Sequence, residues 1–278
     1  MSTSYDTTTE TAREYYNSSD ADTFYHEVWG GEDIHVGLYQ SPEEPIAPAS
    51  RRTVDHMIDR LGELGPQHTV LDLGAGYGGS ARRMVERCGC RVICLNLSEA
   101  ENERNRQKNA EQGVADKIDV IDGSFESVPV DDQSVDVVWS QDAILHSGNR
   151  RKVLEEVNRV LKPGGRFCFT DPMRADDCPE GVLDPILARI HLSDLGSPGF
   201  YKQVAEDLGW KDLGYEDMAH QLTNHYTRVL ETLEAEGLSL KGKVSDAYID
   251  RMKTGLGHWI EGGKAGHLAW GVFCFEKP

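Results

Sequence analysis

Basic residues are scarce in this sequence, which has 29 lysines and arginines against 47 aspartates and glutamates and a formal net charge of −18. A surface field of this sign repels phosphate backbones and anionic lipid headgroups. We therefore expect neither a nucleic acid nor a membrane surface as a partner. The same acidic excess fits a protein surface that is solvated at high salt.

Targeting patterns, long apolar runs and paired cysteines are also missing. No apolar run approaches membrane-spanning length, and the N-terminal stretch MSTSYDTTTETAREYY has no basic-then-apolar signal pattern. These absences lead us to expect a cytoplasmic protein. The six cysteines form no C-x-x-C pair and stand mostly in or beside apolar, strand-like segments, so we expect buried, reduced thiols and no metal site.

The middle of the chain alternates between apolar runs and helix-like stretches. HTVLDLG, CRVICLN, KIDVIDG, SVDVVWS and GRFCFTD read as strands, with helices predicted at GSARRMVER, SEAENERNRQKNAEQG and RKVLEEVNRVLKPGG. Runs rich in Val, Ile, Leu and Phe that are separated by helices are typical of a parallel sheet covered on both faces.

The flanking regions are predicted to be mostly helical. We expect helices around residues 14–29 and 48–64, and again over 182–208 and 223–260. LGYEDMA and HLAWGVFCFEK read as two late strands that pair as an antiparallel hairpin at one edge of the sheet. The predicted fold is therefore α/β and Rossmann-like, with a seven-stranded, mostly parallel sheet that ends in an antiparallel edge hairpin.

No internal repeat or low-complexity linker divides the chain, so one domain of 278 residues is expected. We divide this domain into four segments. They are an N-terminal helical cap (1–65), a cofactor-binding core (66–171), an acceptor-side helical lid with one strand (172–262) and a final strand (263–278).

The stretch VLDLGAGYGGSARRM contains a literal G-x-G-x-x-G at Gly74, Gly76 and Gly79, with Asp72 two residues before the first glycine. In dinucleotide-binding folds such glycines admit a pyrophosphate at a helix N-terminus. A carboxylate at Asp72 would repel a pyrophosphate but suits the ammonium group of S-adenosylmethionine, which carries no phosphate. The pattern favours S-adenosylmethionine over a nicotinamide dinucleotide, and a glycine turn without a ligand remains an alternative.

Two further positions depart from the usual nucleoside-binding pattern. An acidic residue at the end of the second strand normally holds the ribose hydroxyls, and this sequence has Asn96 there. Asn can bond a ribose diol, but it is a weaker acceptor than a carboxylate. In DGSFESVP, Ser124 and Phe125 occupy the expected adenine-facing positions, and core packing is the alternative for Phe125.

The sequence resembles class I methyltransferases related to sarcosine and dimethylglycine N-methyltransferases. The motifs that carry this resemblance, in order along the chain, are the glycine loop, CLNLS, WSQDAILHS, RVLKPGG and TDPM. VWGGEDIHVGLY and HWIEGGKAGHLAWG are more specific, and both are similar to that betaine-forming subgroup. The resemblance covers nearly the whole chain. It implies methyl transfer from S-adenosylmethionine to sarcosine and then to N,N-dimethylglycine, yielding glycine betaine.

This chemistry requires contacts to the cofactor, to the acceptor amine and to its carboxylate. The expected cofactor contacts are Asp72, Gly74, Ala75, Gly76, Gly78, Asn96, Leu97, Ser124, Phe125, Gln141 and Trp29. His146 is the candidate to accept the amine proton or to order a water that does, unless it is a structural histidine.

The carboxylate needs a cation, preferably a guanidinium, and Arg174 and Arg189 are the candidates unless they lie on the surface. Pro172 and Met173 stand where strand-end loops bind ligands and could shape room for N-methyl groups. Aromatic faces could stabilise the methylated cation, although some will be plain core. Those proposed for the acceptor side are Tyr25, Tyr39, Tyr226 and Trp259, with Trp29 beside them.

Two other functions stay open on the sequence alone. One is a related methyltransferase that acts on glycine, phosphoethanolamine or a phenol. The lid has no Lys/Arg cluster for a phosphate, and the chain has no membrane-seeking amphipathic stretch for a lipid-like phenol. The other is a cofactor-binding protein without catalysis. Small-molecule substrates are the expected partners, and whether the chain forms a homo-oligomer is open.

Overall fold

The computed structural model describes residues 7–29, 31–190, 192–236 and 242–278. Its strands are β1 (Thr69–Leu73), β2 (Arg91–Asn96), β3 (Ile118–Asp122), β4 (Val135–Gln141), β5 (Leu161–Thr170), β6 (Met173–Arg174), β7 (Lys211–Asp217), β8 (Leu268–Ala269) and β9 (Gly271–Glu276). Its helices are α1 (Thr7–Tyr16), α2 (Ser19–Val28), α3 (Ile46–Leu61), α4 (Gly79–Cys88), α5 (Glu99–Glu111), α6 (Arg150–Val160), α7 (Asp184–Ile190), α8 (Pro198–Asp207), α9 (Ala219–Glu236) and α10 (Asp246–Lys264). A 3-10 helix spans Ile144–His146.

The central sheet has seven strands in the order β3-β2-β1-β4-β5-β9-β7. Strands β1 to β5 pair in parallel, and β9 lies antiparallel between β5 and β7. The predicted sheet with its antiparallel edge pair is thereby confirmed. A second, two-stranded sheet joins β6 to β8. The sequence analysis did not predict it, because two-residue strands leave no periodic pattern.

Side chains that alternate along the strands fill two separate cores. On β1, Val70 packs in the core that contains α3 residues such as Met57, whereas Leu71 and Leu73 pack in the core that contains α6 and α8. The same alternation places Asp72 on the α3 side of the sheet. Since parallel strands end at one edge, the loops after β1, β2, β3, β4 and β5 meet there and form the candidate site.

Three long helical stretches of the prediction are each divided in the structure. Ser18, Ser197 and Ser245 begin α2, α8 and α10 by accepting a hydrogen bond from a backbone N–H three residues on. The stretches predicted to be helical around 14–29 and over 182–208 and 223–260 therefore each contain parts of two helices. Within these predictions and the predicted cap, residues 1–6, 30, 191 and 237–241 lie outside the described residues.

Among the described residues, no helix combines the length and the apolar character that crossing a bilayer requires.

Candidate active site

The glycine loop between β1 and α4 is fixed by backbone bonds and by close packing. The N–H groups of Gly74 and Ala75 both donate to the Leu95 carbonyl, at 2.8 and 3.2 Å. Gly74 and Gly78 have φ values of 76° and 75°, and a Cβ on either would overlap the side chain of Ala143 or Asn105, respectively. These two glycines are thus required by the protein's own packing and by the left-handed backbone.

Asp72 lies buried at the end of β1, with 3% of its surface exposed. Burial raises the pKa of its carboxyl to about 7, with Asp33 adding to the rise and His35 opposing it. No described residue donates a hydrogen bond to this carboxyl. A buried carboxyl without a donor is costly, and a cationic ligand group would relieve that cost.

Residues 32–36 cover the glycine loop from the α3 side of the sheet. A Cβ atom added to Gly79 would overlap the Asp33 side chain. A Cβ atom added to Gly76 would lie 3.2 Å from Ile34 Cδ1. Asp33 pairs with Arg51 at 3.0 Å. The backbone N–H of Val36 donates to Asp142 Oδ2 at 2.7 Å, which ties this covering segment to the end of β4.

The polar groups after β2 form a hydrogen-bonded cluster. Asn96 Nδ2 donates to Glu101 Oε2 at 2.8 Å, and Asn102 Nδ2 donates to the Asn96 carbonyl and to Asp122 Oδ1. The amide nitrogen of Asn96 is therefore committed, while its Oδ1 accepts no hydrogen bond from a described residue. Leu97 is half-buried beside it.

Glu101 is an acidic residue at this strand end that the sequence analysis missed. It is 3% exposed and lies on the first turn of α5, five residues after Asn96. Only the helical turn brings it back to the strand end, so spacing along the strand gave no signal. Glu99, by contrast, is half-exposed and pairs with Arg13 of α1.

The residues predicted near the adenine lie in two different settings. Ser124 Oγ accepts a hydrogen bond from the Glu126 N–H at 3.1 Å. Phe125 is buried in the core that contains α6 and α8.

At the end of β4, Gln141 Oε1 accepts hydrogen bonds from Ser80 Oγ at 2.5 Å and from Trp139 Nε1 at 3.0 Å.

A cavity of about 870 Å³ lies beside the end of β4 and under α7 and α10. Aromatic side chains form much of its wall: Tyr16, Tyr25, Trp29, Tyr226, Tyr248 and Trp259. The predicted residues that it brings together are Tyr25, Trp29, His146, Pro172, Arg189, Tyr226 and Trp259. Trp29, which we expected at the cofactor, thus lies on the wall of this cavity.

Three predicted acceptor-side residues do not line this cavity. Tyr39 lies behind the wall, with its hydroxyl 2.8 Å from His225 Nδ1. Met173 is fully buried in the core that contains α6 and α8. Arg174 follows it on β6, where its backbone N–H donates to the Gly196 carbonyl.

His146 faces the cavity from the 3-10 helix and shares a 2.9 Å hydrogen bond between its Nε2 and the Tyr16 hydroxyl. Burial lowers the pKa of His146 to about 4, and the nearby guanidinium groups of Arg150 and Arg189 lower it further. The imidazole is therefore neutral at physiological pH. Asp171 holds this turn by accepting hydrogen bonds from the Leu145 N–H and from the Tyr201 hydroxyl.

Arg189 reaches the cavity from α7 across the neighbouring helix α10. Its Nη2 lies 2.7 Å from Met252 Sδ, and a Cβ on Gly255 would overlap its side chain. No carboxylate of a described residue lies within ion-pair distance of this guanidinium. Arg189 therefore presents an uncompensated positive charge to a largely aromatic cavity.

Asp142 and Tyr16 are further cavity residues that the sequence analysis did not select. Asp142 has a φ of 52°, and its two oxygens accept hydrogen bonds from the Val36 N–H and from Trp270 Nε1. Its place in SQDAILHS between two selected residues was the available signal. Tyr16 lies on a separate helix, and nothing in the local sequence relates it to His146.

Known proteins resemble this chain over nearly its whole length. The family model for a methyltransferase domain matches residues 71–169. The chain is 58% identical over 276 residues to the sarcosine/dimethylglycine N-methyltransferase of Aphanothece halophytica, covering 99% of this chain and 100% of that protein. It is also 58% identical over 278 residues to the enzyme of the same name from Halorhodospira halochloris, covering 100% of both.

A crystal structure of a candidate sarcosine dimethylglycine methyltransferase from Galdieria sulphuraria has the same fold. It superposes with a TM-score of 0.90 at 44% identity, covering 95% of this chain and 98% of that chain. The similarity therefore extends on both sides of residues 71–169, into the flanking helices and strands as well as the sheet.

Proposed function

This chain belongs to the sarcosine/dimethylglycine N-methyltransferase family, and on that premise we propose that it methylates sarcosine and then N,N-dimethylglycine to glycine betaine. The methyl donor is S-adenosylmethionine. The observation that carries the acceptor assignment is the Arg189 guanidinium in a largely aromatic cavity, where no carboxylate of the described residues pairs with it.

The buried polar groups at the strand ends fit S-adenosylmethionine. Asp72 offers its carboxyl to the ammonium group and Asn96 offers its Oδ1 to the ribose, and neither group accepts a hydrogen bond from a described residue. We assign the remaining cofactor contacts to Gly74, Ala75, Gly76, Gly78, Leu97, Ser124, Phe125 and Gln141. The bound cofactor supplies a methyl group on a sulfonium, which is an electrophile toward amine nitrogen.

The acceptor is held at both of its ends by this chain's side chains. Arg189 binds the carboxylate, preferably through two parallel hydrogen bonds. The rings of Tyr25, Trp29, Tyr226 and Trp259 surround the amine end and stabilise its methylated, cationic form. Positioning of this kind supplies much of the rate, since well-oriented groups reach effective molarities of roughly 10⁵ to 10⁸ M.

His146 and Tyr16 handle the proton that the acceptor nitrogen must lose before its lone pair can attack. The neutral imidazole accepts that proton directly or through the Tyr16 hydroxyl, which it contacts at 2.9 Å. The lowered pKa of His146 keeps the imidazole neutral, so its nitrogen lone pair is available to accept a proton or to order a water that does.

We further propose that the whole chain works as one methyltransferase domain. Residues 1–65 cap the site, 66–171 hold the cofactor, 172–262 form the acceptor-side lid and 263–278 add the final strand. The contribution of α2, α7, α9 and α10 residues to one cavity supports this assignment.

A product-resolved assay with methyl-labelled S-adenosylmethionine tests the proposal. Glycine, sarcosine, dimethylglycine and phosphoethanolamine are offered separately. We expect label in dimethylglycine and betaine when sarcosine is offered, and in betaine when dimethylglycine is offered. Label in the phosphoethanolamine product alone would refute the assignment.

A further inference from the structure

Arg150, the first residue of α6, is a buried cation beside the turn that carries His146. Its side chain is 7% exposed. Its Nη2 donates to the Leu145 carbonyl at 3.0 Å and to the Asp194 carbonyl at 2.7 Å, and its Nη1 donates to Asp194 Oδ1 at 2.7 Å. One guanidinium therefore joins the 3-10 helix to the loop between α7 and α8.

The backbone of Leu145 is held on both of its sides. Its N–H donates to Asp171 Oδ1 at 2.8 Å, and its carbonyl accepts from Arg150. The Tyr201 hydroxyl of α8 donates to Asp171 Oδ2 at 2.6 Å and so fixes this carboxylate in turn. Because the Leu145 carbonyl belongs to the peptide bond with His146, these bonds set the direction in which the imidazole leaves the backbone.

The loop that contains Asp194 is itself anchored to the rest of the fold. The Gly196 carbonyl accepts a hydrogen bond from the Arg174 N–H of β6 at 2.9 Å. A Cβ atom added to Gly196 would lie 2.9 Å from the Tyr201 ring, so the loop also packs against α8. This loop follows α7, the helix of the proposed carboxylate-binding arginine. Arg150 thus links the two halves of the proposed acceptor site.

The ionisable groups around His146 come from several elements. Tyr16 of α1 shares a hydrogen bond with its Nε2, and Arg189 of α7 lines the same cavity. Asp142 at the end of β4 also lines the cavity, but its two oxygens accept hydrogen bonds from a backbone N–H and an indole N–H. Of the two guanidinium groups, the one on Arg150 also holds the backbone next to the imidazole.

The charge of Arg150 acts on the same imidazole. Burial is the main reason why the pKa of His146 is lowered to about 4, and the positive charges of Arg150 and Arg189 lower it further. Loss of the Arg150 charge should therefore raise this pKa, and loss of its hydrogen bonds should release the turn.

We propose that Arg150 is a positioning residue for methyl transfer, because it holds the His146 turn and the α7–α8 loop in one fixed arrangement. The proposal rests on the proposed function for the role of His146. Arg150 does not line the large cavity, so it acts on the acceptor through the turn and not by contact.

Arg150→Met and Arg150→Lys separate the hydrogen bonds of this side chain from its charge. NMR titration of the His146 Cε1–H, assigned by its loss in His146→Asn, measures the pKa without turnover. Steady-state kinetics at saturating S-adenosylmethionine measures kcat.

In Arg150→Met the pKa of His146 should rise by roughly one pH unit, because a nearby positive charge is removed, and kcat should fall roughly 10- to 100-fold. In Arg150→Lys the pKa should stay near the wild-type value of about 4. Its kcat should recover only in part, because an ammonium group lacks the fork that reaches both Leu145 and Asp194.

Arg151→Met is the matched control. Arg151 is the next residue of α6, but it is exposed and its guanidinium pairs with Asp207 of α8. This variant should keep the wild-type pKa of His146 and the wild-type kcat. Asp194→Asn is a second test that leaves α6 intact, since the Asp194 side chain is 67% exposed. It should lower kcat several-fold without raising the pKa of His146.

The outcomes distinguish this proposal from a purely structural role and from the proposed function. Wild-type kcat in Arg150→Met, a loss of kcat without a change in the pKa of His146, or the same changes in Arg151→Met would each overturn the proposal. If wild-type protein methylates neither sarcosine nor dimethylglycine while the pKa still differs between wild type and Arg150→Met, the proposed function fails and the action of Arg150 on His146 stands.

Discussion

Asp72 is the single residue whose ionisation should govern cofactor affinity at acidic pH. Burial raises the pKa of this carboxyl to about 7 in the absence of a bound cation. Below that pH the protein must release a proton to bind an ammonium group. Affinity for S-adenosylmethionine should therefore fall as the pH drops through about 7, approaching tenfold per pH unit.

Titration calorimetry from about pH 5 to about pH 7 measures this slope, since the α-amino group of the ligand itself titrates near 7.7 to 8.0. Asp72→Asn should bind more weakly and lose the acidic slope. The charges of Asp33 and His35 also affect the pKa of this carboxyl, so the variant is the necessary comparison. An equal slope in wild type and Asp72→Asn would remove Asp72 from the ammonium site.

Arg189 is the residue whose truncation should harm acceptor binding while sparing cofactor binding. Its guanidinium has no carboxylate partner among the described residues and lines the large cavity. Arg189→Ala should raise the KM for dimethylglycine by an amount equivalent to about 2 to 5 kcal/mol. Lysine at this position should restore only part of the loss, because it lacks the two-pronged contact.

Arg174→Ala is the matched control, since Arg174 lies on β6 and outside the cavity. Steady-state kinetics with calorimetric cofactor titration distinguishes the two arginines. A raised KM in Arg174→Ala with an unchanged KM in Arg189→Ala would reverse the assignment.

Among the helices, α10 has a glycine, Gly255, at the place where the Arg189 side chain packs against it. A Cβ on Gly255 would overlap the Arg189 side chain, whereas one on Gly257 of the same helix meets nothing within 4 Å. Gly255→Ala should therefore displace the guanidinium and raise the KM for dimethylglycine several-fold. Gly257→Ala should leave KM unchanged and stabilise the helix by about 0.5 to 1 kcal/mol.

Kinetics and thermal unfolding of both alanine variants provide the comparison. Equal KM values for the two variants would show that α10 does not hold the arginine through Gly255.

The same elements explain which parts of the structure the sequence could predict. The five parallel strands were predicted because each is a compact apolar run, and the glycine loop because Gly74, Gly76 and Gly79 form a spaced motif directly after the first of them. The helix breaks were missed, since each depends on a single serine cap within a helix-like pattern. Arg174 and Arg189 were indistinguishable in sequence, because only the packing of α7 on α10 brings one of them to the cavity.

The buried pair Asp33 and His35 was missed for a related reason. It lies in an irregular segment that has neither helical nor strand periodicity, although the motif around it was noted. Asp33 packs against Gly79, and Ile34 between the two residues packs against Gly76, both more than 40 residues away in sequence. Such long-range contacts are invisible to pattern reasoning on one chain.

For the molecule as a whole, the proposed cofactor and acceptor residues meet at one edge of the sheet. We propose that the cofactor is held by the loops after β1 to β4, and that the acceptor is held by residues of α2, α7, α9 and α10 that line the large cavity. His35, Ile34 and the 3-10 helix lie where the two sets meet. The net charge of −18 leaves Arg189 as a local positive site within an acidic protein, which favours a small zwitterion over a phosphate-bearing acceptor.

The most direct test of this account is a competition between two acceptors with the same dimethylamine group, one of which ends in a carboxylate and the other in a hydroxyl. Dimethylglycine and dimethylethanolamine are offered together at equal concentration with limiting labelled cofactor, and the products are separated. The account predicts label almost entirely in betaine, because a site built for a carboxylate is left with an unpaired charge when a hydroxyl replaces it. Comparable labelling of the two products by wild-type enzyme would contradict recognition of an amino acid at this site.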